Sequence, residues 1–279
     1  MFHSELFTSA IASGATSRAQ VNYSTKDYVL PPLNNGMQVS ALLPFLMAVC
    51  GIGAHLDEVQ IQAPSMQPLP YPNLNPNNRS SGSESPPRFW DFSGAPFPLR
   101  PTEELDIYAT QDSGSSETEY VLVTLSDGQR VAPPPIRTAP TINGNGGYFS
   151  AHWTASTTLT AGAWTQVQPT FDYPLPAGLY SLIGARVYSA TALFFRMLPA
   201  TSPLWRPGGL AVRAYDSLDP VNQRGFQQVF FPGQGWGEWL RFYQNVSPSI
   251  ELFATSADTA EEGWFDLIKV SDATTTGAI

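Results

Sequence analysis

Apolar and polar residues alternate with a period of two over short stretches of this chain. In residues 104–127 the apolar positions Leu105, Ile107 and Ala109 alternate with more polar neighbours, a turn rich in Ser, Gly and Asp follows, and a second apolar run opens at Tyr120. Alternation over four to eight residues is typical of a half-buried β-strand. The pattern therefore predicts a strand, a turn and a second strand.

The same arrangement returns at a fixed offset of 145 residues, in residues 249–272. We interpret the match as an internal duplication, and "PLNNGM" (Pro32–Met37) and "PLPAGL" (Pro174–Leu179) give a second, weaker echo at an offset of 142. Two copies of a unit of about 120–130 residues would fill the chain, in agreement with the usual domain size of ~100–200 residues. The identical pairs are Ala109/Ala254, Thr110/Thr255, Glu117/Glu262, Leu122/Leu267, Ser126/Ser271 and Asp127/Asp272.

Twenty-six prolines and twenty-two glycines are spread along the 279 residues and leave few windows for a long helix. Short helices are predicted only at Met1–Ser13 and near Asp216–Gly225. Residues 41–54 and 180–199 are apolar, but the first stretch is too short for a membrane span and the second carries Arg186 and Arg196. We predict buried strands there and an all-β sandwich or barrel fold.

Punctuation by proline and glycine suggests where the domains begin and end. We predict an N-terminal arm (1–20), a first β domain (21–133), a Pro/Gly-rich linker (134–145), a second β domain (146–273) and a C-terminal tail (274–279).

Composition narrows the classes of function. Charged residues make up 13% of the chain, the net charge is −9, and only two lysines are present, Lys26 and Lys269. No basic run exists, so direct nucleic-acid binding is not expected. Cys50 is the only cysteine, which excludes an intramolecular disulfide. The N-terminus lacks the pattern of a signal peptide, and we expect synthesis in the cytoplasm.

Catalytic chemistry has little support in the sequence. His3, His55 and His152 are scattered without a metal-binding motif, and no catalytic motif or phosphate-binding loop is present, so we expect no enzyme, metal or cofactor. The acidic pairs Glu103–Glu104 and Glu261–Glu262 are expected to solvate turns and strand edges rather than to act as acid and base.

Two tryptophans, Trp236 and Trp239, lie in "PGQGWGEW" and suggest a platform for a sugar ligand. Burial in an interface or in the core is the alternative, and we favour it.

Two consecutive β-rich domains with a Pro-rich linker and few charges resemble the double jelly-roll major capsid proteins of tailless icosahedral viruses. The resemblance rests on the duplicated "LDIYAT…LVTLSD" and "IELFAT…LIKVSD" segments and the "PLxxG" pair. It implies two tandem eight-stranded jelly rolls, homotrimers of pseudo-hexagonal outline, and assembly into a shell, as in small corticovirus-like phage coat proteins. It also implies penton or minor capsid proteins and an internal viral membrane as partners, and location in the virion.

The resemblance implies a further role for the first twenty residues, in which Phe2, Phe7 and Ile11 are spaced for one face of a short helix. They would form an arm that ties neighbouring capsomers or faces a membrane; a frayed terminus is the alternative. The competing functions are a receptor- or carbohydrate-binding β-sandwich protein and a two-domain hydrolase.

Overall fold

The chain folds into β-strands in a computed structural model. The model describes residues 2–14, 17–24, 29–53, 55–67, 70–74, 77–80, 83–84, 90–92, 94–112, 114–129, 146–199, 205–210 and 238–272. Two compact units are present, Phe2–Gly128 and Gln129–Ile279. The predicted linker, the tail from 274 and the predicted helix at 216–225 lie outside the described ranges. Pro64–Met66 and Gln244–Val246 form short 3-10 helices.

Strands account for most of the regular structure in both units. In the first unit they are β1 (Phe2–Ile11), β2 (Ala19–Val21), β3 (Pro32–Leu33), β4 (Gly36–Gln38), β5 (Phe45–Gly53), β6 (Leu56–Gln62), β7 (Asn73–Leu74), β8 (Asn77–Ser80), β9 (Ser83–Glu84), β10 (Trp90–Asp91), β11 (Phe97–Pro98), β12 (Glu104–Gln111) and β13 (Glu117–Ser126). In the second unit they are β14 (Tyr148–Ala155), β15 (Trp164–Val167), β16 (Thr170–Phe171), β17 (Leu179–Tyr188), β18 (Ala192–Leu198), β19 (Gly208–Leu210), β20 (Leu240–Tyr243), β21 (Ser249–Ala254) and β22 (Glu261–Ser271).

The second unit has the strand order of a jelly roll. Eight of its strands, without the two-residue β16, form two sheets. One sheet runs β14-β22-β17-β20, which is the first, eighth, third and sixth strand in chain order. The other runs β15-β21-β18-β19, the second, seventh, fourth and fifth. This interleaving of two Greek keys defines the jelly roll.

The first unit repeats that order. When the hairpins β3-β4 and β8-β9 are left out and β10 and β11 are counted as one, its first, eighth and third strands are β1-β13-β5, and β10 and β11 take the sixth position. The hairpin β8-β9 also joins this sheet, through parallel pairing of β8 with β5. The strands β2-β12-β6-β7 form the other sheet, with the hairpin β3-β4 attached to β12. The prediction of an all-β chain with two tandem jelly rolls is therefore confirmed.

β-Bulges give the residue-by-residue equivalence of the two units. The pairing of β13 with β5 shifts at Met47, and the pairing of β22 with β17 shifts at Ile183. Superposing these bulges makes Thr124 equivalent to Asp266, an offset of 142. A second pair of bulges, at Asp57 and Leu193, relates β12 to β21 with an offset of 143.

The gapless sequence match at 145 is thus displaced by two or three positions from the structural equivalence. Ala109, matched with Ala254 in the sequence, occupies the position of Leu252. A two-residue displacement along a strand keeps apolar residues opposite apolar residues, because side chains alternate between the faces. The architecture is duplicated, but the identical residues do not occupy the same positions.

The "PLxxG" echo does not mark equivalent positions either. Pro32–Leu33 form β3, and Gly36 begins β4, where an added Cβ would lie 2.7 Å from the Leu105 carbonyl oxygen. In the second copy Gly178 precedes β17 with φ of +153°, and an added Cβ would lie 2.5 Å from the Ser271 carbonyl oxygen. Each glycine permits a close backbone approach, but to a different strand.

The N-terminal residues are a correction to the sequence analysis. Residues 2–11 do not form a helix or a separate arm; they form β1, which pairs along its whole length with β13, from Phe2 opposite Ser126 to Ile11 opposite Glu117. Phe2, Phe7 and Ile11 are buried. The helical spacing of Phe2, Phe7 and Ile11 was misleading because β1 is buried on both faces of its sheet. Apolar residues can then stand at any position of the strand, including positions that match a helical stripe.

The two apolar stretches are strands, as predicted: the first contains β5, and the second contains β17 and β18. The two arginines of the second stretch form ion pairs, Arg186 with Asp266 at 3.1 Å and Arg196 with Glu251 at 2.6 Å. No helix in the described ranges is long and apolar enough to cross a membrane.

The position of β1 leads to a test of stability. Replacing Phe7 with Ala should lower the free energy of unfolding of the first unit by about 3–5 kcal/mol, because a fully buried ring is removed from the core. Native-state hydrogen exchange of the backbone amides of β5 and β13, which lie in the first unit, would measure the change. The control is Leu42→Ala, whose side chain is 58% exposed and should change stability by less than about 0.5 kcal/mol. Equal effects of the two substitutions would contradict the position assigned to β1.

Candidate functional site

A row of polar and aromatic side chains lies on the outer face of the second unit's first sheet. The inward-pointing side chains of β14 and β22, such as Trp153 and Phe265, are fully buried. Side chains alternate along a strand, so their neighbours His152 and Trp264 point outward, opposite each other in register. Arg186 of β17 is the next residue in the row.

The His152 imidazole is held by two carboxylates. Its Nδ1 lies 2.6 Å from Asp172 Oδ2, and its Nε2 lies 3.5 Å from Glu262 Oε2. The ring packs on Trp264 with centroids 4.4 Å apart, and the Arg186 guanidinium lies 5.4 Å from the same indole. Acidic and cationic groups therefore flank one aromatic ring, an arrangement suited to recognition of a polar ligand.

Asp266 is the buried anchor of the row. Its Oδ1 accepts hydrogen bonds from the Ser150 hydroxyl, from the Tyr148 hydroxyl at 3.1 Å and from the Arg186 guanidinium at 3.1 Å. Burial raises the pKa of Tyr148, and the Asp266 carboxylate raises it further, while the Ser150 hydroxyl and the Arg186 charge oppose the shift. Tyr148 therefore stays a neutral donor at physiological pH.

This row does not have the geometry of a hydrolytic site. Ser150 forms hydrogen bonds with Asp266, Arg186 and Tyr148, whereas His152 forms a hydrogen bond with Asp172 and lies 3.5 Å from Glu262. A nucleophile and its general base must be in contact, and these two side chains have separate partners. Among the residues that the structure describes, no group of three or more His, Cys, Asp or Glu side chains is placed to hold a metal ion.

A cavity of about 570 Å³ adjoins the row, at the edge of β14 that faces away from β22. Its inner wall contains Phe149 and Tyr180, which meet edge to face at 5.9 Å, and its rim carries Tyr173, 84% exposed. The Tyr180 hydroxyl donates to the Pro176 carbonyl at 2.5 Å, and burial, followed by the charge of Asp272, raises its pKa to about 12. The volume is in the usual range for ligand pockets.

Both units have a buried carboxyl group near the start of their last strand. The bulges make Glu119 of β13 equivalent to Glu261 of β22, and both side chains are buried. Neither carboxylate has a well-formed hydrogen bond within the described structure, although the Ser189 hydroxyl lies close enough to Glu261 to influence its charge. Burial raises the pKa of each to about 7. Like charges add to the shift, from Glu117 and Asp258 respectively; His55 opposes it at Glu119, and the Ser189 hydroxyl opposes it at Glu261.

The acidic pairs predicted to solvate turns behave differently from one another. Glu261 is buried, so the prediction is wrong for this residue. Glu103 accepts hydrogen bonds from the Ser65 backbone at 2.9 Å and the Arg100 backbone at 2.8 Å, and Glu104 accepts from Asn34 at 2.8 Å. The first pair thus fixes loops in place.

Of the two candidate tryptophans, Trp236 lies outside the described ranges. Trp239 is 4% exposed, and its indole stacks on Phe195 with centroids 6.4 Å apart. A ring buried in this way belongs to the core of the second unit and does not offer an exposed platform to a sugar. Phe2, Phe7 and Ile11 are likewise core residues and not exposed anchors.

The residues that do form a concave site were missed in the sequence. "YFSAHWTA", residues 148–155, shows the alternation that identifies Tyr148, Ser150 and His152 as one face of a strand. Asp172 and Tyr173, however, follow β15 and β16 in the chain, and no local spacing in the sequence indicates that they return to β14.

Comparisons with known proteins give limited information. No protein family profile and no curated protein matches the sequence. Among solved structures, the chain aligns with the major capsid protein P2 from bacteriophage PM2, at 10% identity over 99% of this chain and 100% of that chain, with a TM-score of 0.26. It also aligns with the PBSX exported protein XepA, at 11% identity over 95% of this chain and 86% of that chain, again with a TM-score of 0.26. Because both TM-scores are well below 0.5, the fold assignment rests on the strand order alone.

The buried carboxyl groups predict a dependence of stability on pH. A carboxyl whose pKa is raised on folding binds its proton more tightly in the folded state, so stability falls as pH rises from about 4.5 to about 7 and then levels off. Each group should contribute a fall of roughly 1–3 kcal/mol. Urea unfolding at pH 5, 6, 7 and 8 would measure it.

The double variant Glu119→Gln/Glu261→Gln should have a flatter profile and a higher free energy of unfolding at pH 8 than the native chain. Asp57→Asn, a change at an exposed carboxylate, is the control and should retain the native slope. A native profile that is flat between pH 5 and 8 would show that these carboxyl groups are not buried as described.

Proposed function

We propose that this chain is a structural subunit that assembles with copies of itself, as a homotrimer of pseudo-hexagonal outline, into an icosahedral viral shell. The observation that carries the proposal is the presence of two jelly rolls in one chain that share the order of their eight core strands. Three copies of such a chain bring six similar barrels around one axis, which gives a threefold oligomer a nearly sixfold outline. Jelly rolls are a recurrent architecture of viral capsid domains.

The low charge of the chain supports this proposal. Charged residues are 13% of the total, about half the usual ~25%. Copies packed at contact repel each other less when few like charges meet at their borders. The proposal places the protein in the virion after synthesis in the host cytoplasm, with minor capsid proteins and an internal membrane as its other partners.

A binding protein is the second candidate, because the cavity beside β14 is a concave site lined by aromatic side chains. Its Tyr148 and Tyr173 rings, 41% and 84% exposed, could stack on a sugar as Trp239 cannot. In this case the protein would act as a small oligomer.

Mass in solution distinguishes the two candidates. Light scattering behind a sizing column should give about 91 kDa, three times 30.3 kDa, or a much larger closed particle. Negative-stain images of the same fractions should show a six-cornered outline. A monomer whose mass does not change with concentration, and which lacks that outline, would contradict the capsid proposal.

A further inference from the structure

One edge of the second unit's first sheet is open. β14 is paired along its length with β22 on one side, but on the other side β16 reaches only Trp153 and Thr154. In the described part of the chain, no strand pairs with residues 148–151 on that outer side. The open segment contains no Lys, no Pro and no bulge, the features that usually protect an exposed strand edge.

The backbone groups of Tyr148 and Ser150 point into this opening. Lys269 N–H donates to the Gly147 carbonyl, so Gly147 faces β22, whereas Asp172 N–H donates to the His152 carbonyl from the opposite side. Backbone N–H and C=O groups alternate in direction along an antiparallel strand. Tyr148 and Ser150 share the direction of His152, and each presents one donor and one acceptor at the open edge.

The first unit shows what closes the same place there. Superposing the bulges makes Glu5 of β1 equivalent to Ala151 of β14. Glu5 Oε1 accepts hydrogen bonds from the backbone N–H groups of Val29, at 2.9 Å, and Leu30, at 3.3 Å, and the Tyr23 hydroxyl donates to the Leu30 carbonyl at 3.1 Å. A stretch of polypeptide with two aliphatic residues is thereby fixed beside the first strand.

The connection that follows Phe171 in the second unit is too short to do the same. Between Tyr23, which bridges to β1, and the start of β5 lie residues 24–44, twenty-one in all. Between Phe171, its counterpart on β14, and the start of β17 lie residues 172–178, only seven. With Ala151 in place of a glutamate and a connection one third as long, the cavity of about 570 Å³ stays open beside the strand.

We propose that this edge binds an extended segment of a partner polypeptide, which adds to the sheet as a further antiparallel strand beside β14. The segment spans three to five residues, since β16 blocks the edge beyond Ala151. Tyr148 and Ser150 together offer it four backbone hydrogen bonds, and affinity in strand addition comes mainly from such bonds.

The cavity specifies the side chains of the partner segment. Its central residue points toward Phe149 and Tyr180 and must be large and apolar, while its two neighbours lie beside Tyr148 and Ser150 and are expected to be small and polar. The charged groups of the rim already have partners, His152 with Asp172 and Lys269 with Asp272 at 2.8 Å. The segment is therefore uncharged, of the type Thr-Leu-Thr.

The probe for this proposal is the capped peptide Ser-Thr-Leu-Thr-Ser, titrated into the full-length ¹⁵N-labelled chain. The amide signals of Tyr148 and Ser150 should shift in a saturable manner at sub-millimolar to millimolar peptide. A second peptide of the same sequence, N-methylated at both threonines, should bind at least ten times more weakly because it cannot donate to the strand edge. This comparison leaves the protein unchanged and does not depend on the folding of a variant.

A substitution at Ser150 tests the role of the strand edge. Ser150→Pro removes the N–H at the open edge, a place where proline is tolerated, and should abolish the shift of the Tyr148 amide signal. Leu42→Ala, at an exposed side chain of the first unit, is the control and should retain that shift. Leu→Ala in the peptide should weaken binding by removing the side chain that enters the cavity.

Three outcomes would overturn the proposal: no saturable shift at residues 148–151, equal affinity of the native and the N-methylated peptide, or binding of methyl glycosides in place of the peptide. The last outcome would identify a carbohydrate site. The titration is made on the trimer or the monomer before any shell forms, with deuterated protein so that the amide signals of a particle of about 91 kDa stay observable. The mass in solution is measured separately, so failure here leaves the proposed assembly untouched.

Discussion

Each unit depends on the pairing of its first strand with its last. β1 lies along the full length of β13, and β14 lies along β22, so the two ends of each unit are held together by a ladder of backbone hydrogen bonds. The last strand is in turn paired with the third on its other side. A strand bonded on both edges cannot shift its register without breaking two ladders. This constraint keeps the bulges, the buried carboxyl groups and the polar row of the second unit in fixed positions.

The sequence predicted the class of fold because period-two alternation and regular Gly and Pro punctuation leave little room for anything but strands. It also predicted the duplication, because equivalent strands of the two units need the same alternation of apolar residues and therefore have similar sequences. It could not give the alignment of β12 with β21, because alternation looks alike at displacements of two residues, and only the bulges at Asp57 and Leu193 decide among them. The helix expected at the N-terminus failed because three apolar residues fit a helical stripe and a strand buried on both faces equally well.

The candidate site was beyond the reach of sequence patterns for a different reason. His152 and Asp172 are twenty residues apart and meet only because β16 returns beside β14. The sequence suggested that Glu261 is solvated, as its neighbour Glu262 is. Because the side chains of adjacent strand residues point to opposite faces, one of the two must be buried. The open edge itself is a property of loop length, visible only when the two units are compared strand by strand.

The same first-to-last pairing determines when the first unit can fold during synthesis. Within the first unit the residues of β1 are synthesised before all the other strands, yet Phe2 cannot pair until Ser126 has been made. At about 5–20 residues per second the delay is on the order of 6–25 seconds. Throughout that time the edge of β1 that will pair with β13 has no partner, and non-local pairing of this kind is slow even after the chain is complete. Production of the protein in quantity should therefore benefit from chaperones that shield β1 until β13 has been made.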